Sequence, residues 1–193
     1  PASVRASIVA ALAQALESIN RYPDREFTDL REALARYANS THDGVPLDAE
    51  MVWAANGSNE VLQHALQAFG GPGRSVLGFP PTYSMHSIIA ESTGTKWVSG
   101  MRGDDFELSP EIVSEAIKRL DPDVVFLCTP NNPTGAAISL EIIEAAYEAS
   151  RGMVLVDEAY VEFLAPGSPT ASDLLAGRAR LMVSRTMSKA FAF

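Results

Sequence analysis

Cysteine, histidine and basic residues are all scarce in this chain, and each scarcity removes a class of protein. Cys128 is the one cysteine among 193 residues and lies inside an apolar run. That excludes an internal disulfide framework, suits a reducing cytosol and reads as a small core residue. The three histidines, His42, His64 and His86, are scattered and have no cysteine cluster beside them, so no metal-ligand spacing exists. Fifteen Lys and Arg stand against 24 Asp and Glu, a formal net charge of −9. With no basic cluster, that balance argues against nucleic acid or an anionic membrane as partner. Long apolar runs are missing too: the longest spans six residues, far below the ~20 of a membrane helix. No stretch reads as a signal peptide, and the expected location is the cytoplasm. What remains is an ordinary globular composition, 47% hydrophobic and 20% charged, at a length that suits one well-buried α/β domain.

The chain is organised around Met153-Val154-Leu155-Val156-Asp157-Glu158-Ala159-Tyr160. Its apolar run, bounded behind by Arg151-Gly152, predicts a short buried strand that ends abruptly on a carboxylate. The carboxyl edge of an open α/β sheet is where ligands bind, which would put Asp157 in a crevice with Tyr160 beside it. Read alone, Asp157 is more readily the N-cap of a following helix. A second predicted strand, Arg180 to Val183, leads into Ser184-Arg185-Thr186-Met187-Ser188-Lys189. A lysine at the end of another strand, ringed by hydroxyls, suggests a Schiff-base site.

Taken in order, residues 3 to 19 predict an amphipathic helix, broken at Arg21-Tyr22-Pro23-Asp24, and a second helix covers Asp29 to Asn39. His42-Asp43-Gly44 predicts a turn. Met51 to Ala55 predicts a short strand running through Asn56-Gly57-Ser58-Asn59-Glu60 into a helix over Val61 to Phe69. Such a glycine turn at a helix N-terminus is an anion site whose usual guest is a phosphate, although a plain start capped by Ser58 or Asn59 reads as well. Strands are predicted over Ser75 to Phe79, Lys96 to Gly100 and Val124 to Cys128. Helices are predicted from about Ser84 to Ser92, after the N-cap Ser109 with Pro110 and Glu111 behind it, and after Ser139. Tyr83 falls at a strand-to-helix junction, where a half-buried core tyrosine is the plain alternative. Thr129-Pro130-Asn131-Asn132-Pro133-Thr134-Gly135 predicts a rigid loop, again at a strand's carboxyl end. The alternation predicts a mainly parallel, doubly wound sheet.

In its whole set of motifs the chain resembles the fold-type I, pyridoxal-phosphate-dependent aminotransferases, and within them the histidinol-phosphate aminotransferases. The resemblance rests on Tyr22-Pro23-Asp24, Asn56-Gly57-Ser58-Asn59-Glu60, Pro81-Thr82-Tyr83, Asn131-Asn132-Pro133-Thr134-Gly135, Asp157-Glu158-Ala159-Tyr160 and Ser184 to Phe191, in that order. The Asn-Pro-Thr-Gly loop and the Ser-Lys-Ala-Phe ending are its specific pieces. It implies an α/β three-layer sandwich with a mainly parallel sheet, the large coenzyme-binding domain of such enzymes, here incomplete. Residues 1–25 would be an N-terminal helix and dimer-contact segment, and 26–193 part of the large domain.

The resemblance also implies roles. Lys189 would hold pyridoxal 5'-phosphate as a Schiff base and shuttle a proton, helped by desolvation that lowers its proton affinity. Asp157 would keep the pyridine nitrogen protonated. Tyr160 and Asn132 would bond the ring's phenolic oxygen, and Tyr83 would stack on its face. The phosphate would rest on amides of Ser58 and Asn59 and on the hydroxyls of Thr186 and Ser188, with Tyr22 reaching it from the neighbouring subunit of a homodimer. A further phosphate-binding arginine, the small domain with its carboxylate-binding arginine, and a closing N-terminal segment belong to the family pattern but not to these residues, so the chain is expected to be a piece of a longer protein. The implied reaction converts L-histidinol phosphate and 2-oxoglutarate to imidazole-acetol phosphate and L-glutamate. An aromatic amino-acid aminotransferase and a non-catalytic coenzyme-binding module are the alternatives.

Overall fold

The computed structural model describes residues 2–41 and 44–191; His42 and Asp43 of the expected turn, and Ala192 and Phe193 after the Ser-Lys-Ala-Phe ending, lie outside them. Five strands form one parallel sheet: β1 (Ser75–Gly78), β2 (Lys96–Ser99), β3 (Val124–Cys128), β4 (Met153–Asp157) and β5 (Leu181–Ser184). Their spatial order is β2-β1-β3-β4-β5, and every pairing is parallel. The order reverses at β1, whose neighbours β2 and β3 lie on opposite sides. The crevice between the carboxyl ends of β1 and β3 is therefore the switch point at which such sheets take ligands.

The strands carry apolar residues on both faces because both are covered. Leu77, Val125, Leu127, Val154, Val156 and Leu181 face α5 (Pro110–Leu120) and α6 (Leu140–Ala149), with a 3-10 turn at Ala171–Leu174. Their neighbours Val76, Val124, Phe126 and Leu155 face α3 (Ser58–Phe69) and α4 (Met85–Ser92). The period of two sorts each strand between two helical layers, as a three-layer sandwich requires. β4 can lie tight on its neighbour because residue 152 is glycine: a Cβ there would sit 1.9 Å from the Asp123 carbonyl oxygen. Ser109 caps α5 as expected, accepting the Ile112 N–H at 3.2 Å. Ser139 stands at the N-cap of α6, but its side chain makes no capping bond.

Two expectations fail. The first helix, α1 (Ala2–Leu16), is exposed from Arg5 to Leu16 except at the half-buried Ile8, with Val9, Leu12 and Leu16 all more than half accessible. Apolar residues run unbroken from Ile8 to Ala13 and so lie all round the helix, which makes it uniformly apolar rather than amphipathic. The strand expected at Met51 to Ala55 is absent; Ala49–Met51 is a 3-10 turn. Backbone carbonyls that a sheet partner would have taken are taken by a side chain, since Arg31 Nε donates to Ala49 O at 2.9 Å and Val52 O at 2.7 Å. Arg31 belongs to α2 (Thr28–Asn39), which matches its expected span.

Candidate active site

Loops from four strand ends and the start of α3 converge over the carboxyl edge of the sheet. They enclose a cleft of about 160 Å3 lined by Ser58, Asn59, Tyr83, Asn132, Asp157, Tyr160, Thr186, Ser188 and Lys189, together with Asn56, Gly57, Cys128 and Ala159. Nine of the ten expected site residues are thus brought together from segments as far apart as 58 and 189. Tyr22 is not among them: it is fully exposed on the segment after α1.

Asp157 forms the floor. It is 2% exposed at the last position of β4, and among the described residues no helix of eight or more residues follows it, so it does not cap one. Its Oδ1 accepts the Ala159 N–H and the Ser184 hydroxyl, each at 3.2 Å. Its Oδ2 lies 2.9 Å from Nε2 of His86, itself 1% exposed. An ionised carboxylate can only accept, so the Nε2 must carry the proton of this bond. His86 is held edge-on between Tyr83 and Phe126, with ring centroids 5.5 and 5.2 Å away.

His86 is the main residue that sequence reasoning missed. It stands three positions after Tyr83, in the first turn of the helix that the Tyr83 junction leads into, and that was the available signal. Its partner lies 71 positions away.

Asn131 joins the loop after β3 to the loop after β1, since its Nδ2 donates to Pro81 O at 3.0 Å and to Thr134 Oγ1 at 2.9 Å. That staple holds together the loops that carry Asn132 and the half-buried Tyr83, both of which line the cleft. Beside them Cys128 points inward, and burial, reinforced by the nearby Asp157 carboxylate, pushes its thiol up to about 11. It stays a neutral thiol near neutral pH.

At the opposite end of the cleft stands the N-terminus of α3. Neither Ser58 nor Asn59 caps it: the N-cap is Gly57, at φ 78° and ψ 173°, with no side-chain cap bond. Only glycine adopts that backbone without strain. Glu60 turns back instead to the Asn56 N–H at 2.6 Å. Unclaimed first-turn amides at the positive end of a helix dipole, with the hydroxyls of Thr186 and Ser188 beside them, make a seat for a phosphate.

Lys189 lies across the mouth, its Nζ 5.6 Å from the centroid of the Tyr160 ring. The desolvation expected for it is not found, because the turn that carries it is exposed and no described element covers it. A buried carboxylate, an aromatic wall, an uncapped helix start and an amine suit a phosphorylated pyridine aldehyde end to end.

A parallel α/β domain with a ligand crevice at its switch point is the class that fold and site define. The model of the aminotransferase class I and II family matches residues 2–193, and the chain belongs to that family. It is 55% identical over 195 residues to the histidinol-phosphate aminotransferase of Paenarthrobacter aurescens, covering 100% of this chain and 51% of that protein. The chain spans about half the length of the curated relatives it matches. Among solved structures, the histidinol-phosphate aminotransferase of Sinorhizobium meliloti in complex with pyridoxal 5'-phosphate superposes with a TM-score of 0.82 at 24% identity, covering 97% of this chain and 49% of that one. An aromatic aminotransferase from Pyrococcus horikoshii superposes with a TM-score of 0.84 at 23% identity, covering 100% and 52%. At these identities the two structures speak for the fold alone.

Proposed function

We propose that this chain is the coenzyme-binding part of a cytoplasmic, homodimeric, pyridoxal-phosphate-dependent transaminase that converts L-histidinol phosphate and 2-oxoglutarate to imidazole-acetol phosphate and L-glutamate. The observation that carries the reading is the cleft itself, in which Lys189, Asp157, Tyr83 and an uncapped helix start face one space. Residues 26–193 serve as part of the large domain, and 1–25 as the segment that meets the second subunit. The exposed apolar surface of α1 and the exposed Tyr22 suit that contact.

Pyridoxal phosphate, when bound, supplies an electron sink for the substrate carbon that loses its proton. Lys189 would hold it covalently through Nζ, and its amine would serve to move the proton. The Asp157 carboxylate would pair with the ring nitrogen and keep it protonated, and His86 holds that carboxylate by Oδ2. Tyr83 would stack on the ring, Tyr160 and Asn132 would donate to its phenolic oxygen, and the Ser58 and Asn59 amides with the Thr186 and Ser188 hydroxyls would bind the phosphate. Tyr22 would reach that phosphate from the partner subunit.

The 55% identity to a histidinol-phosphate aminotransferase supports the substrate. Comparing kcat/KM for histidinol phosphate and phenylalanine tests it. Histidinol phosphate is expected to win, and a tenfold preference for phenylalanine, about 1.4 kcal/mol in transition-state binding, would reverse the assignment.

A further inference from the structure

Asp157 and Glu158 are consecutive but serve different neighbours. Asp157 lines the cleft, whereas Glu158, 1% exposed, is wholly engaged by groups that do not line it. Its Oε1 accepts the Ala171 N–H at 2.6 Å. Its Oε2 accepts Nε and Nη2 of Arg185 at 3.1 and 3.0 Å. The same guanidinium donates from Nη2 to Ser172 Oγ at 3.2 Å and from Nη1 to Thr41 Oγ1 at 3.0 Å. One planar fork therefore ties together the ends of β4 and β5, the 3-10 turn at Ala171–Leu174 and the segment after α2. The Glu158 N–H adds a backbone bond to Ser184 O at 2.9 Å.

Arg185 directly precedes Thr186 and stands four positions before Lys189. The turn that it starts is exposed at Ser188, Lys189 and Ala190, so burial does little to hold Lys189. A buried ion pair is also a poor means of gaining stability, since well-packed apolar residues serve as well. What a forked, multiply bonded guanidinium supplies is direction, which a lysine at the same site would not.

We propose that Arg185 is a positioning residue: clamped on Glu158, it holds the Thr186–Lys189 turn in register with Asp157, so that amine and carboxylate meet the same bound coenzyme. This rests on the function proposed above. A reacting group displaced by about 1 Å loses on the order of 100-fold in rate, which sets the size of effect to look for.

The test uses the complete coenzyme-loaded protein and the variants Arg185→Met and Arg185→Lys. Three quantities are read: thermal unfolding, kcat with KM, and the pH midpoint of the visible absorbance of the lysine–coenzyme adduct. In a folded Arg185→Met, kcat should fall roughly 10- to 100-fold with KM changed by less than about threefold, and the absorbance midpoint should move. Arg185→Lys should recover the unfolding temperature more fully than kcat. Unchanged kcat and midpoint in folded Arg185→Met, or full recovery of both by lysine, would overturn the proposal. Should Arg185→Met not fold, the nearly isosteric Glu158→Gln takes its place with the same expectations; if neither folds, the pair is structural and the proposal fails. Wild-type protein in which borohydride does not fix the coenzyme on Lys189 would instead overturn the coenzyme reading and this proposal with it.

Discussion

Replacing His86 by leucine should cost much more stability than a histidine-to-leucine change on a surface. His86 and Asp157 are 1% and 2% exposed and 2.9 Å apart. The leucine would fill a comparable volume but leave Oδ2 without its donor. Breaking a buried charged pair costs about 3–5 kcal/mol when nothing compensates. Here Oδ1 keeps two donors, from Ala159 and Ser184, and the cleft lets water approach, so the loss should lie nearer the ~1.5–3 kcal/mol of one hydrogen bond to a charged group. Edge-on contacts with Tyr83 and Phe126 add roughly 0.5–1 kcal/mol. The expected total is about 2–4 kcal/mol. In a domain of this size each kcal/mol moves the melting temperature by about 2–4 °C, giving a fall of about 5–15 °C. Urea unfolding should show a lower midpoint at unchanged slope. His86→Gln, which can still donate to Oδ2, should recover part of the loss. His86→Leu melting within about 1 °C of wild type would refute the view that this bond holds the carboxylate.

Asp157→Asn should fold, because the change is nearly isosteric, but transaminate at least about 100-fold more slowly, a loss of about 2.7 kcal/mol in the transition state; wild-type rates with the coenzyme site occupied would leave Asp157 no role in the chemistry. The Cys128 thiol, raised from 9.0 to about 11 by burial and the neighbouring Asp157 carboxylate, makes stability fall with alkali. A group whose folded value is raised stabilises fully below its unfolded value and loses that contribution as pH rises through the folded one. About 2 pH units at ~1.4 kcal/mol each amount to roughly 3 kcal/mol, lost between about pH 9 and pH 11. Urea titrations of wild type and Cys128→Ala across that range should converge at high pH, and parallel curves would contradict the burial of the thiol.

The elements that the sequence made readable are those whose cause is local. β3 and β4 are apolar runs closed by turn formers, and α5 announces itself through Ser109, Pro110 and Glu111. The cleft residues were readable because each sits beside such a boundary, at a strand's carboxyl end or a helix start. What escaped depends on distant partners. Met51 to Ala55 has strand composition, yet Arg31 takes its neighbouring carbonyls. His86 looks like any polar residue on a helix until β4 brings Asp157 beneath it. Glu158 and Arg185 lie within recognisable motifs, but their pairing across β4 and β5 has no periodicity to reveal it. The solvation of Lys189 depends on what covers the cleft mouth, and no described residue does so.

Lys189 is the residue proposed to carry the coenzyme. The chain holds three lysines, Lys96, Lys118 and Lys189, so one chemical step separates them. Loading the protein with pyridoxal phosphate, reducing with borohydride and mapping the peptides should place the tag on Lys189 and leave Lys96 and Lys118 unmodified. A tag on either of those two, or no stoichiometric tag at all, would contradict the account.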